Sequence, residues 1–136
     1  MDRHSKILKH LALVAEDVSP IRSSKIAAAL VFKHNFISYG VCQYKSHPFQ
    51  KEYSKNNAAI FLHAENACIS AALNRTRDPD LISKSTLYVS RVKHASGNHK
   101  DFVCSVAKPC EGCQKAIAAF NIRKVYFTTD EGYDIL

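Results

Sequence analysis

Two runs of this chain are too apolar for a strand with one wet face: Lys25–Phe32 (KIAAALVF) and Thr86–Val92 (TLYVSRV). A half-exposed strand alternates apolar with polar residues, whereas a near-continuous apolar run belongs in a sheet covered on both faces. Such cover takes helices, and the chain offers three. Residues 5–17 place Ile7, Leu8, Leu11, Leu13, Val14 and then Val18 along one side of a helix, with Ser5 as the capping residue. His63–Leu73 has a packing face of small residues, Ala64, Ala67, Cys68, Ala71 and Ala72, and Arg75–Pro79 ends it. Cys110–Phe120 is the third, with Pro109 just ahead of it, where helix starts accept proline.

Lys33-His34-Asn35 reads as a turn that returns the chain into a second strand, Phe36–Cys42, so the first two strands form a hairpin. Residues 44–59 are polar and interrupted by Pro48, which predicts a long loop. Lys93–Asp101 is an excursion, Phe102–Val106 a short strand and Arg123–Thr128 a further strand; the last eight residues add little, and a fifth strand is short or absent. The order αββαβαβ predicts an α/β fold, a three-layer α/β/α sandwich around a mixed central sheet of four to five strands. Strands that arrive by a helical crossover are expected to be parallel. With 136 residues and no internal repeat or linker, residues 1–136 make a single domain.

Composition narrows the function. With 46% hydrophobic and 23% charged residues the chain is neither disordered nor collagen-like. No stretch nears the ~18 consecutive apolar residues of a membrane helix, and the N-terminus reads as the start of the first helix rather than as a signal peptide. Five cysteines without a secretory signal predict free thiols in a reducing, cytoplasmic setting, used for metal binding or catalysis. Lys and Arg number 19 against 12 Asp and Glu, for a net charge of +7. That bias attracts phosphate, on a nucleotide or on a nucleic acid, although the cations are dispersed and form no basic tail.

The chemistry gathers in two short segments, His63-Ala64-Glu65 and Pro109-Cys110-Glu111-Gly112-Cys113. His63, Cys110 and Cys113 are zinc-ligand types: a Cys-x-x-Cys pair converges on one ion and a distant His adds a third bond. Three protein ligands leave a fourth position for water, which separates a catalytic zinc from a structural one. Both segments fall at helix starts, where free N–H groups and the positive end of the dipole favour thiolates. Glu65 stands two residues after His63, about 200° away on a regular helix. In an irregular first turn its carboxylate still reaches the same pocket, where it can take a proton from water and pass it to a leaving nitrogen.

This His-x-Glu … Pro-Cys-x-x-Cys pattern resembles that of the zinc-dependent cytidine and deoxycytidylate deaminases, and the order of elements is similar over roughly residues 24–129. The resemblance implies one zinc per chain on His63, Cys110 and Cys113, with Glu65 shuttling protons. It implies hydrolytic release of ammonia from a cytosine nucleotide or nucleoside, with deoxycytidylate as the leading substrate. Among subgroups the chain looks most like small deoxycytidylate or cytidine deaminase-like proteins, and a parallel strand after Cys110–Phe120 suits the deoxycytidylate side. The Ala64 backbone N–H would meet the pyrimidine carbonyl. Where family members usually carry an Asn to hold the sugar or base, this chain has Cys42, with Gln43 beside it; Lys45 and His47 follow in a loop that can grip a substrate phosphate. The chain also carries the Lys93–Asp101 insertion, which deoxycytidylate deaminases usually lack. Members of the family frequently self-associate, so a homo-oligomer is expected.

Blander readings stand beside these. A structural zinc knot would recruit a fourth ligand, Cys104, Cys68 or His47, and would have no use for Glu65. Cys68 and Cys104 read more simply as core residues. Two other functions compete. One is base editing on RNA or single-stranded DNA, for which Phe49 and Tyr53 beside Lys51 and Lys55 offer stacking and charge. The other is a non-catalytic, zinc-stabilised interaction module. A steep salt dependence would mark the first, and an inert Glu65→Gln substitution the second.

Overall fold

The computed structural model describes residues 2–18, 24–43, 48–53, 62–94 and 102–136. In chain order these form α1 (Arg3–Val18), β1 (Ser24–Phe32), β2 (Asn35–Val41), α2 (Pro48–Glu52), α3 (Ala64–Thr76), α4 (Pro79–Lys84), β3 (Thr86–His94), β4 (Phe102–Ser105), α5 (Glu111–Ala119), β5 (Lys124–Thr128) and β6 (Tyr133–Ile135). The two most apolar runs are neighbours. β1 and β3 pair antiparallel at the centre of one sheet, ordered β2-β1-β3-β5-β6, with β4 attached to β3.

Alternate residues along these central strands face opposite layers, as the two-residue period of a strand requires. Ala27, Ala29, Val31 and Tyr88 pack against Leu8, Leu11, Ala12 and Ala15 of α1. Ala28, Leu30, Leu87 and Val89 pack instead against Ala64, Cys68, Ile69 and Ala72 of α3 and Ala116 and Ile117 of α5. The three-layer α/β/α expectation therefore holds, and β3 and β5, joined through α5, run parallel as the crossover rule requires. The sheet is wider than the expected count through two short strands, β4 and β6. Because β6 runs antiparallel to β5, the sheet does not end on a parallel strand, and the topology no longer singles out the deoxycytidylate subgroup.

Local corrections have local causes. The cap of α1 is Asp2, whose carboxylate accepts the Ser5 N–H at 2.7 Å; Ser5 sits inside the helix. Leu13, expected on the apolar side, is 56% exposed, because the buried stripe runs through Leu8, Leu11, Ala12 and Ala15. The expected loop over 44–59 contains α2, opened by Pro48 at a position where a missing N–H costs nothing. α4 was not foreseen, although Asp78-Pro79 is a cap followed by a first-turn proline.

One joint positions the site. β5 pairs with Thr86–Val89 of β3, and β4 takes over the pairing at Arg91–His94. Thr128, at the handover, accepts the Arg91 N–H at 3.0 Å on its hydroxyl and donates that hydroxyl to the Ser105 carbonyl at 2.7 Å. Its own carbonyl accepts the Ala107 N–H at 2.9 Å. These bonds fix the chain between β4 and Pro109-Cys110. Among the described residues, no helix is long and apolar enough to cross a membrane.

Candidate metal and active site

The two motifs meet at the starts of α3 and α5. His63 is the N-cap of α3, with φ −79° and ψ 153°. Cys110 is the N-cap of α5, with φ −68° and ψ 170°, and buried Cys113 lies in that helix's first turn. The His63 Nδ1 atom is 3.4 Å from the Cys110 sulfur and 3.4 Å from the Cys113 sulfur. All three ligand atoms lie within 4.8 Å of one another. Tetrahedral zinc ligands at ordinary bond lengths stand about 3.5–3.8 Å apart, so the donor set and its spacing fit zinc.

The electrostatics of these side chains point the same way. Cys110 is held as a thiolate, its pKa pulled down to about 3, first by the hydrogen bond from Cys113 and then by that from His63. Cys113 moves in the opposite direction, because its S–H donates a hydrogen bond to the Cys110 thiolate and is itself buried. His63 is raised by its bond to the Cys110 sulfur. The Cys110 thiolate thus sits between two proton-bearing partners, and zinc, which takes thiolates and a neutral imidazole, would bind with release of those protons.

Glu65 lies in the first turn of α3 and is only 5% exposed. Burial pushes its carboxyl up from the usual carboxylate range, against the pull of its own backbone N–H and of His63. Together with His63, Cys110 and Cys42 it lines a cavity of about 170 Å³. Cys42 is neutral there, since burial lifts its thiol to about 12, opposed by a hydrogen bond from the Ala64 N–H. Ala64 is fully buried at the first position of α3.

The remaining expected residues fall differently. The Gln43 N–H donates to the Leu62 carbonyl at 3.0 Å, and Gln43 lines a separate hollow of about 400 Å³ with Tyr39 and Asn74. That hollow is larger than the cavity at Glu65 but contains none of the three ligands. Lys45 and His47 lie outside the described residues. Neither cysteine proposed as a fourth ligand joins the cluster: Cys68 is buried against Ser38, whose hydroxyl lies 3.3 Å from its sulfur, and Cys104 is exposed on β4, not in the core.

Sequence reasoning missed four residues. Arg91 and Lys108 line the cavity; they flank the insertion, and only the β3–β4 pairing brings them together. Gln50 accepts the His63 N–H at 3.0 Å from within a segment read as loop. Gly40 lets α3 approach the sheet: a Cβ there would stand 2.3 Å from the Ala64 carbonyl oxygen and 2.4 Å from the Cys68 nitrogen. The Asp-Pro and Pro-led patterns could have signalled α4 and α2, but no local pattern marks these four residues.

Over residues 1–129 the chain matches the cytidine and deoxycytidylate deaminase zinc-binding region. It belongs to that family. The protein is accordingly a zinc-dependent deaminase, with His63, Cys110 and Cys113 placed to hold the metal. Solved structures share its fold. The deoxycytidylate (dCMP) deaminase of cyanophage S-TIM5 superposes in its apo form with a TM-score of 0.60 at 19% identity, covering 95% of this chain and 86% of that one. The same enzyme in complex with dCMP and dUMP gives 0.63 at 20% identity, over 95% and 84%. Cytidine deaminase from Mycobacterium leprae gives 0.55 at 20% identity, over 98% and 94%. No curated protein sequence matches the chain.

Proposed function

We propose that this deaminase acts on a free cytosine nucleotide, with deoxycytidylate as the leading substrate, adding water to the ring and releasing ammonia to leave the uracil form. The observation that carries the reading is the buried Glu65 carboxyl in the same cavity as His63 and Cys110. Bound zinc supplies an activated water. Glu65 takes the proton at its carboxylate and returns it to the departing nitrogen, a task suited to a carboxyl whose hold on a proton is strengthened by burial. The neutral Cys42 thiol lines the cavity, and the Ala64 N–H, which bonds Cys42 in the free site, would exchange that partner for the pyrimidine carbonyl.

Charge supports a nucleotide over a nucleoside. Two thiolates and a neutral imidazole would balance a zinc dication, and among the described residues the cavity wall also carries Glu65, Arg91 and Lys108. Basic side chains on the wall suit a substrate bearing phosphate, and the cyanophage enzyme of the same fold binds dCMP and dUMP. Strand editing loses its main support, because Phe49 and Tyr53 pack against Phe120 and the core. A cytoplasmic setting goes with five free cysteines, and self-association with exposed Leu13 and Tyr39 on α1 and β2.

Ammonia release from dCMP and from deoxycytidine tests the proposal. Glu65→Gln is expected to keep zinc and fold while losing about 10²–10⁴-fold in turnover. Arg91→Gln is expected to lower kcat/KM for dCMP and leave that for deoxycytidine nearly unchanged. Full activity of Glu65→Gln would remove the proton shuttle from the reading. Equal wild-type rates on both substrates would remove the phosphate from it.

A further inference from the structure

We infer that α2 is a positioning element for the metal site and that Gln50 is the residue through which it acts. The inference rests on the metal site and not on the identity of the substrate. Five residues are too few for a helix to persist alone, so α2 is held by what it touches, and it touches both ligand-bearing helices. On one side Gln50, wholly buried, uses a single oxygen to accept the His63 N–H at 3.0 Å and the Asn66 side-chain amide at 2.8 Å. That oxygen therefore ties the residue carrying the imidazole to the first turn of α3. On the other side Phe49 stacks on Phe120 with ring centroids 5.9 Å apart, and Tyr53 lies 6.2 Å from the same ring. Phe120 is the C-cap of α5, whose opposite end carries Cys110 as its N-cap and Cys113 in its first turn.

The choice of an amide at Gln50 argues for positioning over mere filling. Its Nε2 atom is buried and finds no hydrogen-bond partner among the described residues. A leucine would fill a similar volume without burying an unpartnered donor. What leucine lacks is the acceptor for His63. His63 has no side-chain bond to its own helix; its carbonyl accepts the Ala67 N–H at 2.9 Å, and the bond from its N–H to Gln50 is the second backbone anchor that sets where its imidazole stands relative to the two sulfurs. Partners that orient a metal ligand from behind typically matter about 10–100-fold in metal affinity.

Gln50→Leu and Gln50→Glu test this in the full-length protein. Zinc affinity is read by competition with a chelator, site geometry by the visible absorption of the cobalt(II)-loaded protein, and stability separately in urea. Gln50→Leu is expected to bind zinc about 10–100-fold more weakly, with shifted cobalt bands. Wild-type affinity and an unchanged cobalt spectrum, whatever the urea midpoint, would reduce Gln50 to a packing residue and overturn the inference. Gln50→Glu keeps an acceptor oxygen at the same reach and is expected to hold zinc within a few-fold of wild type. That variant decides the matter if Gln50→Leu does not fold, and a loss in Gln50→Glu as large as that expected of leucine would overturn the inference. All these readouts are taken without substrate, so failure of the proposed reaction leaves them interpretable.

Discussion

α1 and α4 begin on aspartates, and α3 and α5 begin on metal ligands. The Asp2 carboxylate accepts the Ser5 N–H at 2.7 Å and the Asp78 carboxylate accepts the Leu81 N–H at 3.3 Å, each closing one free donor of a first turn. His63 and Cys110 occupy the same structural position and make no such bond. A cap of the aspartate kind is worth about 1 kcal/mol. The two helices that forgo it turn their first residues towards each other, with His63 Nδ1 at 3.4 Å from both sulfurs. What closes α1 and α4 locally is replaced in α3 by contacts from elsewhere: Gln50 on the His63 N–H, and the close seat against Gly40. Departure from the local rule marks the functional end of the molecule.

The largest way to break this comparison is to remove the seat. Gly40→Ala would set a Cβ inside the Ala64 carbonyl and the Cys68 nitrogen, backbone atoms that cannot swing aside. It is expected to cost about 3 kcal/mol, at the upper end of overpacking effects, or to prevent folding. A urea midpoint within error of wild type would mean that α3 is not seated on Gly40.

The second test concerns the acid in the uncapped first turn. Burial raises the Glu65 carboxyl in the metal-free protein. A raised folded-state pKa gives a contribution that is fully favourable below the unfolded value, about 4.3, and is lost as pH climbs to the folded one. Metal-free Glu65→Gln should therefore match wild type in urea near pH 4 and exceed it increasingly as pH rises towards 7–8. A pH-independent gap would show that ionisation in the buried site is not what separates the two proteins.

The smallest effect sharpens the contrast. Asp78→Ala removes the α4 cap and should cost about 1 kcal/mol in urea, with zinc affinity untouched, because α4 carries no ligand. Any change in zinc binding would mean that the two classes of helix start are not independent.

Much of the frame was readable before the structure. The runs at 25–32 and 86–92 could be placed as buried central strands, since their apolarity excludes a wet face. The ligand triad could be named because zinc chemistry admits few residue types and the Cys-x-x-Cys spacing is local. Leu13 and Ser5 were misplaced because helical periodicity leaves the buried stripe free to rotate by a residue, and Leu8, Leu11 and Ala15 settle it only by packing on β1 and β3. Gln43 was drawn to the site by being next to Cys42 in sequence, yet its side chain lines another hollow.

By itself the sequence determined which residues could bind zinc, which strands must be buried and where helices could start, because donor chemistry, apolar patterning and proline placement act over a few residues. Only the tertiary structure decided that Arg91 and Lys108 share the cavity with Glu65, that Gln50 holds His63, and that Gly40 admits α3. Those arrangements join residues 13 to 43 positions apart or bring backbones into contact across layers, and no local pattern encodes a distance between elements that only packing creates.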